Sequence, residues 1–112
     1  MNQRLPKEEI IRKKEAFQEL IKKGTIWQCP FFRCHFLSGI NRKVGFSIPK
    51  RAGNAVQRNR MKRLFREHYR QNRHQLQKTQ LIFVAKPAMK GVCFWVLQKE
   101  FQALIQFIGM RP

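Results

Sequence analysis

The sequence predicts an α/β fold, of the α+β kind, in which one sheet is packed by helices. Three observations carry this. Segments with helical and with strand character follow one another in the order helix, strands, helix, strand, helix. The segment Lys43 to Ile48 alternates with period two, placing Val44, Phe46 and Ile48 on one face and Lys43, Gly45 and Ser47 on the other. Near the end of the chain, Phe94, Leu97, Phe101, Leu104, Ile105 and Ile108 line up as an apolar stripe at helical spacing.

The elements follow in order. A first helix is expected from about Lys7 to Lys23, with Ile10, Phe17, Leu20 and Ile21 on one side and Gly24 at its C-terminal cap. Phe31 to Leu37 reads as a strand with Phe32, Cys34 and Phe36 on one face. Ser38-Gly39-Ile40-Asn41 is turn chemistry, so this strand and Lys43 to Ile48 are expected to form an antiparallel hairpin. Pro49 to Gly53 ends the second strand. Asn54, with Gln57 three residues on, has the spacing of a capping box and opens a helix expected over Ala55 to Gln71. Leu81 to Ala85 is a continuous apolar run, the mark of a strand covered on both faces, which lies centrally or pairs in parallel. The last helix is expected over Phe94 to Ile108.

The length of 112 residues fits one domain, taken as residues 1–112 with flexibility expected in the first few residues and the C-terminal tail. Ten Phe stand against one Tyr, which places most aromatic rings in a core or along an apolar groove. Charge is the dominant feature. Twenty-four Lys and Arg face six Glu and no Asp, a balance of +18. Such a surface repels itself and calls for a polyanion. Nucleic acid is the first candidate and an anionic membrane the second. No apolar stretch reaches the roughly 20 residues of a membrane span, and the N-terminus lacks an apolar signal core. Three cysteines do not make a disulfide framework. A cytoplasmic location with no membrane partner is expected.

The segment Lys50 to Glu67 carries most of the functional information. At about 100° per residue, Met61, Leu64, Phe65, His68 and Tyr69 gather on one side. Asn59, Lys62, Arg63, Arg66 and Arg70 gather on another, flanked by Arg58 and Arg60. Arginine forks match phosphate oxygens in a way that lysine point charges do not. The helix N-terminus at Asn54 adds unpaired backbone N–H groups, with Lys50 and Arg51 just before it. A stripe of arginines is more often a solvated face. Here only Glu67 offers compensation within the helix, and like charges such as Lys62 and Arg66 cost an isolated helix roughly 0.2–0.5 kcal/mol per pair. An anionic partner is therefore expected.

Chemistry by the protein itself is not expected. Four of the six glutamates lie in the first helix, where they serve its dipole and local ion pairs, so a carboxylate metal cluster is not predicted. His68 reads as packed and His74 as surface. Cys29, Cys34 and Cys93 do not form a zinc pattern.

The run Val44 to Arg70, with Lys50-Arg51-Ala52-Gly53-Asn54-Ala55-Val56 leading into Arg58-Asn59-Arg60 and Lys62-Arg63, closely resembles the signature of the bacterial ribonuclease P protein family. Phe17 to Thr25 and Phe83-Val84-Ala85-Lys86-Pro87 resemble the same family in the same order, and the likeness covers Ile10 to Ile108. It implies a two-layer sandwich with a sheet of about four strands. It further implies a left-handed crossover through the basic helix, like the second domain of a small-subunit ribosomal protein and against the general rule for crossovers. It implies two RNA surfaces and no catalytic residue in the protein. Lys50, Arg51, Asn54, Arg58, Asn59, Arg60, Lys62, Arg63 and Arg66 would face a catalytic RNA. Phe17, Ile21, Phe32 and His35 would line a cleft for the single-stranded 5′ leader of precursor tRNA. Ile21 stands where the family often has an aromatic, and His35 at a position that accommodates Tyr; both departures bear on stacking strength. Read without the resemblance, Phe17 and Phe32 are core residues, and His35 is as much a packed strand residue as a groove residue. The resemblance implies no cofactor on the protein, magnesium on the RNA subunit, and no obligate protein partner. The competing functions are a ribosomal or ribosome-assembly protein, a stand-alone ribonuclease and a membrane-active cationic protein.

Overall fold

Thr79–Ala85 is the hub of the architecture in the computed structural model, which describes residues 7–39, 41–76 and 78–110. The chain ends for which flexibility was expected fall partly outside these residues, as does Ile40 of the expected turn. Seven elements are assembled: α1 (Lys14–Lys23), β1 (Thr25–Gln28), β2 (Phe32–Ser38), β3 (Lys43–Ser47), α2 (Ala55–Asn72), β4 (Thr79–Ala85) and α3 (Phe94–Gly109). The strands form one mixed sheet in the order β1-β2-β4-β3, antiparallel except for the β3–β4 pair.

The expected β2–β3 hairpin does not form, because β4 lies between the two strands. Leu81 to Ala85 is apolar on both faces and gains most by taking a central place, with partners on both edges. β3 carries Lys43, Gly45 and Ser47 on one face and is better suited to an edge. Just after β2 the Gly39 N–H donates to the Lys78 carbonyl at 2.7 Å, beside the start of β4. Two inter-strand spacings are about 10 Å, within reach of four residues. The return from β3 to β4 is a crossover through α2, as parallel neighbours require. The strand β1 has no counterpart among the strands located from sequence; four residues are too few to display a period.

Alternation along the strands sorts the two faces. Phe32, Cys34 and Phe36 of β2, Val44 and Phe46 of β3, and Leu81, Phe83 and Ala85 of β4 face α2 and α3. Phe32, Phe65, Phe83 and Phe101, one from each of β2, α2, β4 and α3, contact one another with centroid separations of 5.1 to 6.3 Å. His68 is fully buried beside them, stacked on Phe94 at 4.1 Å and Phe101 at 4.8 Å. Burial pulls its pKa down to about 4, so at neutral pH it is an uncharged packing ring. On the opposite face α1 lays Leu20, Phe17 and Ile21 over Ile82 and Val84. Gly45 makes room there: a Cβ would lie 2.8 Å from the Phe17 ring.

The first helix starts later than its periodicity predicts. Lys7–Glu9 is a single 3-10 turn, and the chain is then extended to Lys13. Ile10 bridges Val44 in parallel, and the Ile11 N–H donates to the Val44 carbonyl at 2.8 Å. The open edge of β3 thus outcompetes a helical turn that has no capping side chain at Lys13. At its other end α1 stops at Gly24, whose N–H donates to the Leu20 carbonyl at 2.8 Å. A Cβ on Gly24 would stand 2.7 Å from that oxygen and 3.1 Å from the Phe36 carbonyl, so a side chain is excluded by close approach.

Glu9 locks the entering segment to the end of α2. Its carboxylate is paired with Arg73, lies 3.4 Å from Arg42 Nε, and accepts from the Tyr69 hydroxyl at 3.0 Å. Burial alone raises the pKa of this carboxyl. The hydrogen bonds from Arg73 and Tyr69 and the charges of Arg73 and Arg42 outweigh it, and the net value lies below the ordinary 4.5. A carboxylate whose folded pKa is lowered contributes stability that is complete above the unfolded value and lost as pH falls through the folded one. Glu9→Ala is expected to destabilise the fold by about 2–4 kcal/mol, because two guanidinium groups and a buried hydroxyl lose their shared partner. Chemical denaturation between pH 3 and 7 checks this: the variant should lose part of the acid-side decline shown by the parent.

Candidate nucleic-acid interface

The basic face is built by the way α2 begins. The Asn54 side chain accepts from the Gln57 N–H at 2.9 Å and the Gln57 side chain accepts from the Asn54 N–H at 2.8 Å, a complete capping box. Gly53 permits it, since a Cβ there would lie 2.6 Å from Gln57 Oε1. Just upstream, Lys50–Ala52 forms a 3-10 turn that buries Ala52 and leaves Lys50 and Arg51 exposed. Met61, Phe65, His68, Tyr69 and Asn72 anchor the helix on the sheet and α3. Its rotation is therefore set by the core.

With that rotation, Val56, Asn59, Lys62, Arg63 and Arg66 line one shallow open groove along the outer side of α2. Glu67 pairs with Arg70 and accepts from Gln71, and these contacts hold its carboxyl below the usual range. Arg70 is thereby neutralised. Among the described residues no carboxylate pairs with Lys62, Arg63 or Arg66. Exposed Lys50, Arg51 and Asn54 sit at the helix start, and Arg58 is half-buried. Arg60 is partly committed to the fold: its Nη2 donates to the Val92 carbonyl at 2.7 Å, tying α2 to the approach of α3.

The second candidate surface is the opposite face of the sheet. Phe17 and Ile21 of α1 are half-buried over it, and His35 of β2 lies beneath with 3% of its surface exposed. Phe32 does not belong to this group. It is fully buried on the α2–α3 side, opposite Ala85 in the register, because residues of one strand three positions apart point to opposite faces. Its ring is a core ring and is not available to stack on a base.

Two residues absent from the sequence-based expectation join this face. Arg33 lies two positions before His35, and its Nε donates to His35 Nε2 at 2.9 Å. Ile26 of β1 stands opposite His35 and is 51% exposed. The i,i+2 spacing of Arg33 and His35 was a usable signal; Ile26 gave none, since β1 was not located. Lys86, in one of the motif segments, has a structural role. Its ammonium donates to the Cys29 carbonyl at 2.8 Å and to Gln28 Oε1 at 2.9 Å, closing the β1–β2 turn.

The family described as Ribonuclease P matches residues 5–109 of the chain. The ribonuclease P protein component of a Nitratiruptor species is 30% identical over 103 residues, covering 92% of this chain and 94% of that protein. The chain belongs to the ribonuclease P protein family. The Bacillus pumilus ribonuclease P protein component is 33% identical, covering 91% of this chain and 89% of its own length. A Staphylococcus aureus RNase P protein mutant, described as defective in mRNA degradation, superposes with a TM-score of 0.84 at 25% identity, covering 92% of this chain and 90% of its own. The Thermotoga maritima RNase P protein shares the fold, with a TM-score of 0.77 at 22% identity, covering 87% and 94%. The four-stranded mixed sheet and three helices are thus those of the bacterial ribonuclease P proteins.

Within this ribonuclease P scaffold the bare part of the stripe is the part with no carboxylate. Arg63→Ala and Arg66→Ala are each expected to weaken binding to the ribonuclease P RNA and to flatten its salt dependence. The log–log slope should change by roughly 0.7–0.9 for every phosphate that is no longer neutralised. Arg70→Ala, which removes a charge already paired, should leave the slope close to that of the parent. Equilibrium binding across a potassium series measures all three.

Proposed function

We propose that this chain acts in ribonuclease P as an RNA-binding, non-catalytic subunit with two separate RNA surfaces. The outer face of α2 docks on the catalytic RNA. The α1-covered face of the sheet holds the single-stranded 5′ leader of precursor tRNA, and the holoenzyme removes that leader to make the mature 5′ end. The single observation that carries this reading is the unpaired groove of Asn59, Lys62, Arg63 and Arg66 on a helix whose other side is locked in the core. A folded chain with a charge of +18 that leaves these groups free is organised for a polyanion.

Three of its six carboxylates, those of Glu9, Glu19 and Glu67, are engaged in ion pairs within the protein. In this reading bond cleavage and its magnesium belong to the RNA. The protein contributes positive charge, which lowers the demand of the assembled RNAs for free divalent cation. The leader groove combines a ring, Phe17, with apolar Ile21 and Ile26 and the charge of Arg33. That is the chemistry by which single strands are held with little base selectivity. No protein partner is required by this scheme.

Reconstitution with the catalytic RNA tests it. Leader removal should be stimulated by the protein most strongly at low magnesium, and the protein alone should not cleave. Phe17→Ala should weaken precursor tRNA binding by about 1–3 kcal/mol if one base stacks there, with mature tRNA affected less. Equal losses for the two substrates would remove the groove assignment.

A further inference from the structure

We propose that Arg33 is the groove's phosphate-binding residue and that His35 acts as a positioning residue that aims it. This rests on reading the α1-covered face of the sheet as a groove for single-stranded RNA.

Arg33 and His35 are two apart on β2 and share that face. Arg33 is half-buried, and its Nε donates to His35 Nε2 at 2.9 Å. To accept there the imidazole must be uncharged, with its proton on Nδ1, a buried atom with no hydrogen-bond partner among the described residues. Burial favours this form, and the charge of Arg33 adds to it, so the His35 pKa lies below its ordinary value. The residues facing the pair in register are Ile26 and Gln28 from β1 and Ile82 and Val84 from β4, and Ile21 approaches from α1; none carries a charge.

The choice of partner decides what Arg33 can do. A carboxylate in the place of His35 would orient the guanidinium and neutralise it. A neutral imidazole orients it and leaves the full charge in place. Arg33 has no ion pair among the described residues. Its four remaining N–H donors on the two Nη atoms form a fixed fork, the geometry that fits phosphate oxygens in a bidentate manner. The ligand chemistry is a phosphodiester of a single strand, with neighbouring bases resting on the apolar groups Phe17, Ile21 and Ile26. His35 is then a support for arginine and not a surrogate stacking ring.

Holoenzyme reconstituted with the catalytic RNA, and its affinity for leader-bearing precursor tRNA against mature tRNA, tests the assignment. Arg33→Ala should lose roughly tenfold or more for the precursor, the order expected for a charged hydrogen bond, and little for mature tRNA. His35→Gln, which keeps an acceptor, should retain most of the affinity. His35→Phe, which keeps a ring and removes the acceptor, should fall toward Arg33→Ala, and the double variant should be no weaker than Arg33→Ala alone. Lowering the pH until His35 protonates should weaken precursor binding in the parent and not in His35→Gln. Full affinity in Arg33→Ala overturns the proposal, as does a sound His35→Phe beside a defective His35→Gln. If a His35 variant melts early, the Arg33→Ala result decides. Phe17→Ala separates the levels: if it discriminates between the substrates and Arg33→Ala does not, only this assignment fails, whereas if neither does, the groove reading itself falls.

Discussion

Everything in this fold depends on the burial of β4 on both faces and both edges. Leu81, Phe83 and Ala85 close the core under α2 and α3, while Ile82 and Val84 receive α1. A strand apolar on both sides has no stable place at a sheet edge, so it displaces the local hairpin and separates β2 from β3. The parallel β3–β4 pair that results forces a long return, and the chain makes that return through α2. The helix that bears the arginines is thus the connection the sheet topology requires.

Charge follows the same logic. The few carboxylates are placed where the architecture needs them: Glu9 joins the entering segment to the end of α2, and Glu67 quiets the last arginine of the helix. What remains is a cationic strip beginning at the capped N-terminus of α2 and running to Arg66. A full sheet separates it from the α1-covered face, so the two surfaces proposed for RNA lie on opposite sides of the fold. The buried histidines illustrate how local surroundings divide similar residues. His68 is a neutral ring inside an aromatic stack, whereas His35 is buried under α1 on the other face of the sheet and accepts a hydrogen bond from an arginine.

Much of this was legible in the residues. The capping box at Asn54 and Gln57, the span of α2, the stripe of α3 and the apolar character of β4 are local signals, and each has the position expected of it. The charge stripe was legible for the same reason, since 3.6-residue geometry alone sorts it. The start of α1 was not, because Ile10 and Ile11 fit a helical pattern as well as they fit the edge of β3. Phe32 was misplaced for a related reason: an aromatic in a strand announces that it is buried, but not on which side of a sheet.

The sequence by itself determined the elements that nearest-neighbour physics controls: the spans of α2 and α3, the capping box that opens α2, the excess of arginine and lysine, and the motif that marks the family. Only the tertiary structure decided the strand order, which face each ring occupies, which cations are neutralised, and the hydrogen bond between Arg33 and His35. The reason is physical. Helical turns and caps are settled within a few residues, whereas sheet pairing and ion pairing join groups distant along the chain, as Glu9 and Arg73 are, and are settled by which arrangement buries the most apolar surface.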